Sequence, residues 1–171
     1  MKRGNWRTML AGAMLPVVIA ACAALLHTGA FAEESGDFKG TLTASGSREK
    51  LPFLPGREVG IFSIEGHVNL SHGLGETKDF WATWVGLWDT DTGGVVRCVW
   101  RDLHGHRIFG VLSGTRLKEG AVLSGEFVGG TGPFEGIQGD FRFTWTLVSY
   151  DTGDDVLSGY ATDIHGTYRI P

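Results

Sequence analysis

From Asp37 onward the apolar residues come in short runs with polar partners between them, and the period is two residues, not 3.6. Phe80, Ala82, Trp84, Gly86 and Trp88 fall on one face of such a run, and Val96, Cys98 and Trp100 repeat the pattern further on. No long helical spacing occurs, so the runs read as half-buried strands. They lie near 37–45, 59–70, 78–89, 95–102, 107–114, 121–128, 140–150, 156–163 and 166–170, and are rich in Val, Phe, Trp, Thr and Tyr. Between them stand Asp91-Thr92-Gly93-Gly94, His104-Gly105, Lys118-Glu119-Gly120 and Asp151-Thr152-Gly153-Asp154, all residues that tolerate positive φ. Neighbouring strands are therefore expected to pair as antiparallel hairpins. Val-Leu-Ser-Gly occurs at 111–114, 122–125 and 156–159 without a fixed period. It reads as one strand solution used three times, with Val and Ser on one face and Leu on the other. The fold class that follows is all-β: a single antiparallel barrel of eight strands, or nine if the last short run stands alone, since closure removes exposed edges.

The first 32 residues break this pattern. Lys2, Arg3 and Arg7 precede an apolar stretch over 9–26, and Ala30-Phe31-Ala32 precedes Glu33-Glu34. This is the form of a secretory signal peptide cleaved after Ala32. The apolar stretch is close to the length of a membrane span, but the cleavage site and the acidic start beyond it favour removal. Ile19-Ala20-Ala21-Cys22 also has the form of a bacterial lipobox, so lipid anchoring through Cys22 is the alternative processing; the apolar residues 23–26 rank it second. Either route exports the chain to the periplasm or beyond. The organisation expected is a leader over 1–32 and one barrel domain over 33–171.

Without the leader, 12 of the 15 basic side chains remain against 19 acidic ones, a formal charge of −7 with no basic cluster. Nucleic acid and anionic membrane surfaces are poor partners for such a surface. Cys98 is left alone, so no intramolecular disulfide holds the fold.

The glycine-dense stretch from Phe127 to Gly139 resembles a phosphate cradle only in composition. The Gly-x-Gly-x-x-Gly spacing is missing, no Gly-Lys-Ser/Thr follows, and no helix opens behind it. Gly129, Gly130 and Gly132 end one strand and Gly136 and Gly139 begin the next, which predicts a wide structural turn with Phe134 plugging one end of the barrel. The run Phe127-Val128-Gly129-Gly130-Thr131-Gly132-Pro133-Phe134-Glu135-Gly136-Ile137-Gln138-Gly139 resembles the F-x-G-G-T-G-x-F/Y-x-G-x-x-G signature of the allene oxide cyclase barrel-like superfamily. That group takes in plant allene oxide cyclases, dirigent proteins and secreted bacterial proteins, and a weaker similarity extends over 80–168. The resemblance implies an eight-stranded calycin-type barrel with an apolar cavity. In eukaryotic members it implies a cyclase or stereochemistry-guiding activity that uses no cofactor. It transfers no catalytic residue, because the signature is a structural loop.

Candidate chemistry is concentrated in the aromatic residues. Phe80, Trp84 and Trp88, joined by Trp100 and Trp145 from other strands, either interlock as core or leave a slot for a flat or lipid-like molecule. Asp102, His104 and His106 are the candidate metal ligands, since imidazole with carboxylate suits zinc or copper, although no fourth ligand is set by spacing. An enzyme would need an interior acid or base such as Glu65, Glu126 or Asp102. Arg97, Arg101 and Arg142, if inward, would each need an anionic partner. Ser113, Ser124 and Ser158 lack the strand-to-helix turn of a nucleophile elbow, and Cys98 reads as a small buried residue. The function expected is an exported barrel binding a small apolar or amphipathic molecule. A cofactor-free cyclase or isomerase is the second class, and a periplasmic metal-binding or interaction protein the third; association into a homo-oligomer is left open.

Overall fold

The computed structural model describes residues 33–72, 76–117, 120–148 and 155–171. The leader with Cys22 and the cleavage site lies outside them, as do positions 118–119, 149–150 and 151–154 of the expected turns and strands. Eight strands follow one another: β1 (Glu34–Leu54), β2 (Arg57–His72), β3 (Glu76–Asp89), β4 (Gly93–Arg101), β5 (Arg107–Leu117), β6 (Gly120–Gly130), β7 (Gln138–Leu147) and β8 (Val156–Ile170). Each pairs antiparallel with the next, and β8 returns to β1, so the sheet closes into a barrel without edges.

Most strand limits move by a few residues from the expectation, and two change more. The run at 166–170 is not a ninth strand but the second half of β8. Around Thr162-Asp163 the β1–β8 register jumps from Gly40 opposite Ile164 to Leu42 opposite Ala161. This bulge places a polar, strand-averse Asp163 inside a continuous strand, where its carboxylate accepts the Thr144 N–H of β7 at 2.8 Å. β1 in turn runs on to Leu54, through charged residues and Pro52, because its partner β2 continues the ladder to Arg57 opposite Leu54.

Inside the barrel, large rings lie over small residues of the neighbouring strand. A Cβ at Gly60 would come within 2.6 Å of Trp88 Nε1, and one at Gly86 within 2.7 Å of the Phe62 ring. Two copies of Val-Leu-Ser-Gly meet across β5 and β6: Leu112 faces Gly125 and Leu123 faces Gly114, while Ser113 pairs with Ser124 on the outside. One end of the barrel is packed shut. After β6 the chain makes a 3-10 turn, Gly132–Phe134, that lowers Phe134 and Ile137 into the opening, where they are 6% and 3% exposed. Behind them Trp100 contacts Phe80, Phe127 and Phe141 with centroids 6.0, 5.4 and 5.2 Å away.

Candidate functional site

The opposite end is open among the described residues. There a cavity of about 320 Å³ descends between the strand ends, its lower wall formed by Ile64, Trp84, Leu123, Phe143, Trp145 and Leu157. Alternation sends these side chains inward from β2, β3, β6, β7 and β8, and the barrel brings them together although the sequence holds them far apart. Trp88 and Phe62 stand half-buried nearer the rim. Trp84 is 3% exposed, and its indole N–H has no hydrogen-bond partner among the described residues, so the wall contains an unmet donor.

Among the described residues, the charged side chains that line the cavity stand at its mouth: Arg48 and Lys50 from β1, Glu58 from β2 and Asp89 from β3. Asp89 is clamped by Arg57, whose Nε donates to Oδ1 at 2.9 Å, and it also accepts the Asp91 N–H at 2.8 Å. The Arg57 hydrogen bond is the main cause holding the Asp89 carboxyl well below the usual carboxylate range, with the Asp91 amide adding to it. Thr90 and Glu58 exchange two further hydrogen bonds, Thr90 N–H to Glu58 O at 2.9 Å and Glu58 N–H to Thr90 Oγ1 at 3.0 Å. These fasten the β3–β4 turn to the start of β2 and set the shape of the mouth. The turn around Asp89, Asp91 and Thr92 is therefore an arginine clamp. A broader depression of about 1150 Å³ passes over the rim towards Ser113 and Ser124, but it is open to solvent and encloses little.

The structure separates the five aromatic candidates. Trp84, Trp88 and Trp145 line the cavity, whereas Trp100 and Phe80 lie in the packed half, where Phe80 borders a void of only about 30 Å³. Glu65 and Glu126 point outward and are exposed, so neither is an interior acid; Arg97, Arg101 and Arg142 are exposed too. Cys98 is buried against Gly110, and burial pushes its thiol up to about 12, which keeps it protonated and inert.

Asp102, His104 and His106 occupy the β4–β5 turn but do not form a metal cage. Among the described residues no three His, Cys, Asp or Glu side chains gather as a metal-holding group. Asp102 Oδ1 accepts the N–H groups of His104 and His106 at 2.9 and 2.8 Å, and Oδ2 faces His106 Nδ1 at 2.9 Å. Burial opposes ionisation of Asp102, and the His106 ring with the two amides outweighs it, leaving the carboxyl below its ordinary value. The carboxylate thus closes a tight turn, and the His106 ring lies against Gly132 of the glycine loop. Within that loop Gly132 and Gly136 have φ of 61° and 75°, while Gly130 is extended and packed under Phe134.

The mouth residues Arg48, Lys50 and Glu58 escaped the sequence reading because the expected strands stop at 45 and resume at 59. Positions 45–50 hold only Ser, Gly, Arg, Glu and Lys, so no apolar alternation marks which of them face inward.

No family model matches the chain, and no curated protein matches it. Among solved structures it is similar to a pterocarpan synthase dirigent protein at 16% identity, over 94% of this chain and 98% of that one, with a TM-score of 0.44.

Proposed function

We propose that the protein is an exported barrel that takes a small apolar or amphipathic molecule into the open half of its interior. The cavity carries this reading. At about 320 Å³ it falls in the range of small-molecule sites, and its apolar depth with charge confined to the mouth suits a ligand of apolar body and polar end. Titration with 1-anilinonaphthalene-8-sulfonate tests it. A single saturable site that quenches tryptophan emission and is lost in Trp88→Ala supports the reading, and no saturable binding to the folded protein refutes it. Export is checked by the N-terminus of the secreted protein: Glu33 supports signal cleavage, and an acylated Cys22 supports the lipid-anchored alternative.

One observation favours a second reading, a cofactor-free cyclase or isomerase of the allene oxide cyclase or dirigent type. Glu58 is a half-buried carboxylate on the cavity lining, placed to exchange a proton with a bound molecule. Native mass spectrometry of protein purified from its own host identifies any retained molecule. Conversion of that molecule, abolished by Glu58→Gln while binding persists, would replace the binding function with an enzymatic one.

A further inference from the structure

The β1–β2 hairpin ends in six consecutive exposed residues, Leu51-Pro52-Phe53-Leu54-Pro55-Gly56, beside the mouth of the cavity. Leu51, Phe53 and Leu54 are 60%, 56% and 55% exposed, where a hairpin end ordinarily carries polar residues. The backbone explains how they are held out. Pro55 and Gly56, with φ 77° at the glycine, close the turn. The ladder steps from Pro52 opposite Glu58 to Leu54 opposite Arg57, which leaves Phe53 on a bulge that re-aims its ring. The Arg57 guanidinium lies 5.4 Å from the centre of that ring and clamps Asp89 at the same time, so the tip is fixed to the rim. β8 accompanies β1 only as far as Ser47 opposite Val156, and among the described residues the hairpin stands beyond it.

We propose that this tip docks the protein on a lipid bilayer, entering its interfacial zone with Leu51, Phe53 and Leu54 and setting the cavity mouth against the lipid. The shape of the tip favours this occupant. Three side chains on a narrow projection bury far less than the roughly 800 Å² per partner of a stable protein interface, whereas Leu and Phe with cations behind them suit a bilayer interface. Arg48, Lys50 and Arg57 stand behind the tip against Glu49 and Glu58, so the hairpin is locally basic in a chain that is acidic overall. Their long stems let the charged ends stay at headgroup level. The same two strands carry Arg48, Lys50 and Glu58 into the cavity lining, so whatever receives the tip also faces the opening. This choice rests on the reading that the cavity takes an apolar or amphipathic molecule, which a bilayer dissolves. The acidity of the whole chain makes a zwitterionic bilayer a better match than an anionic one.

Flotation of the purified protein with phosphatidylcholine vesicles, at about 1–5 mM lipid, tests the proposal. The expected result is that the protein rises with the vesicles, and that Leu54→Asp and Phe53→Asp each lower the bound-to-free ratio about tenfold or more with circular dichroism unchanged. Leu87→Asp, on the side of the barrel, should leave that ratio within about twofold. Protein that stays unbound at every lipid concentration overturns the proposal, as does flotation indifferent to both tip changes, or flotation lost through Leu87→Asp instead. A concentration-dependent dimer abolished by Leu54→Asp gives the tip to a second copy and also overturns it. Tip-dependent docking by a protein whose cavity binds no dye upholds the proposal and refutes the cavity reading, and dye binding without docking does the reverse.

Discussion

Asp89 shows how far the fold alters one residue. An unfolded aspartate titrates near 4; here the Arg57 guanidinium, then the Asp91 and Thr92 amides, hold the carboxyl lower. With its folded value below its unfolded one, the group stabilises the fold above the unfolded value, and the contribution fades as pH falls through the folded value. Melting temperatures measured from pH 7 downward should therefore show wild type above Asp89→Asn near neutrality, with the gap closing below about pH 4. A constant gap would mean that the clamp acts through shape and not through charge. The clamp was not legible beforehand, because Arg57 and Asp89 are 32 residues apart and belong to different strands.

The strands depend on pairs of unequal size. Leu112 occupies the space over Gly125, which is also capped by Phe141, and an added Cβ there would approach both within 2.8 Å. Gly125→Ala is expected to cost about 1 to 3 kcal/mol by overpacking. Adding Leu112→Ala should give a double variant less destabilised than the two single changes added together, by chemical denaturation; strict additivity would show that the two strands do not share this contact. The glycine loop obeys a different constraint. At φ 61°, and with the His106 ring against it, Gly132→Val should cost about 1 to 3 kcal/mol while the cavity at the far end keeps its affinity. Loss of binding in a fully stable variant would move the site to the loop. The repeated Val-Leu-Ser-Gly segments showed which face each residue takes; the pairing of leucine with glycine required the strand register.

At the scale of the whole barrel the two ends are unequal, one filled with stacked rings and the other open. Trp100, 1% exposed in the filled half, should cost about 3 to 5 kcal/mol when cut to Ala, a large part of the 5 to 15 kcal/mol that holds a typical domain. Trp88, half-buried at the rim, should lose more ligand affinity than stability. Paired denaturation and dye titrations on Trp88→Ala and Trp100→Ala check this; equal, severe destabilisation by both would leave a solid barrel with its function on the outer surface.

Period-two alternation, turn residues and strand-forming composition determined by themselves that the chain is all-β with antiparallel hairpins, because each is a local property read from adjacent residues; that the sheet closes was an expectation that the pairing of β8 with β1 decided. They also placed the aromatic face of β3 inside and the wide glycine turn after β6. Tertiary structure alone decided which tryptophans face empty space. Trp84 and Trp100 have the same alternation, and only their height along the barrel axis separates a cavity wall from a packed core. It likewise decided that Asp102 holds a turn and that β8 is one strand, since hydrogen-bond partners and register are set by strands distant in sequence, beyond the reach of any local pattern.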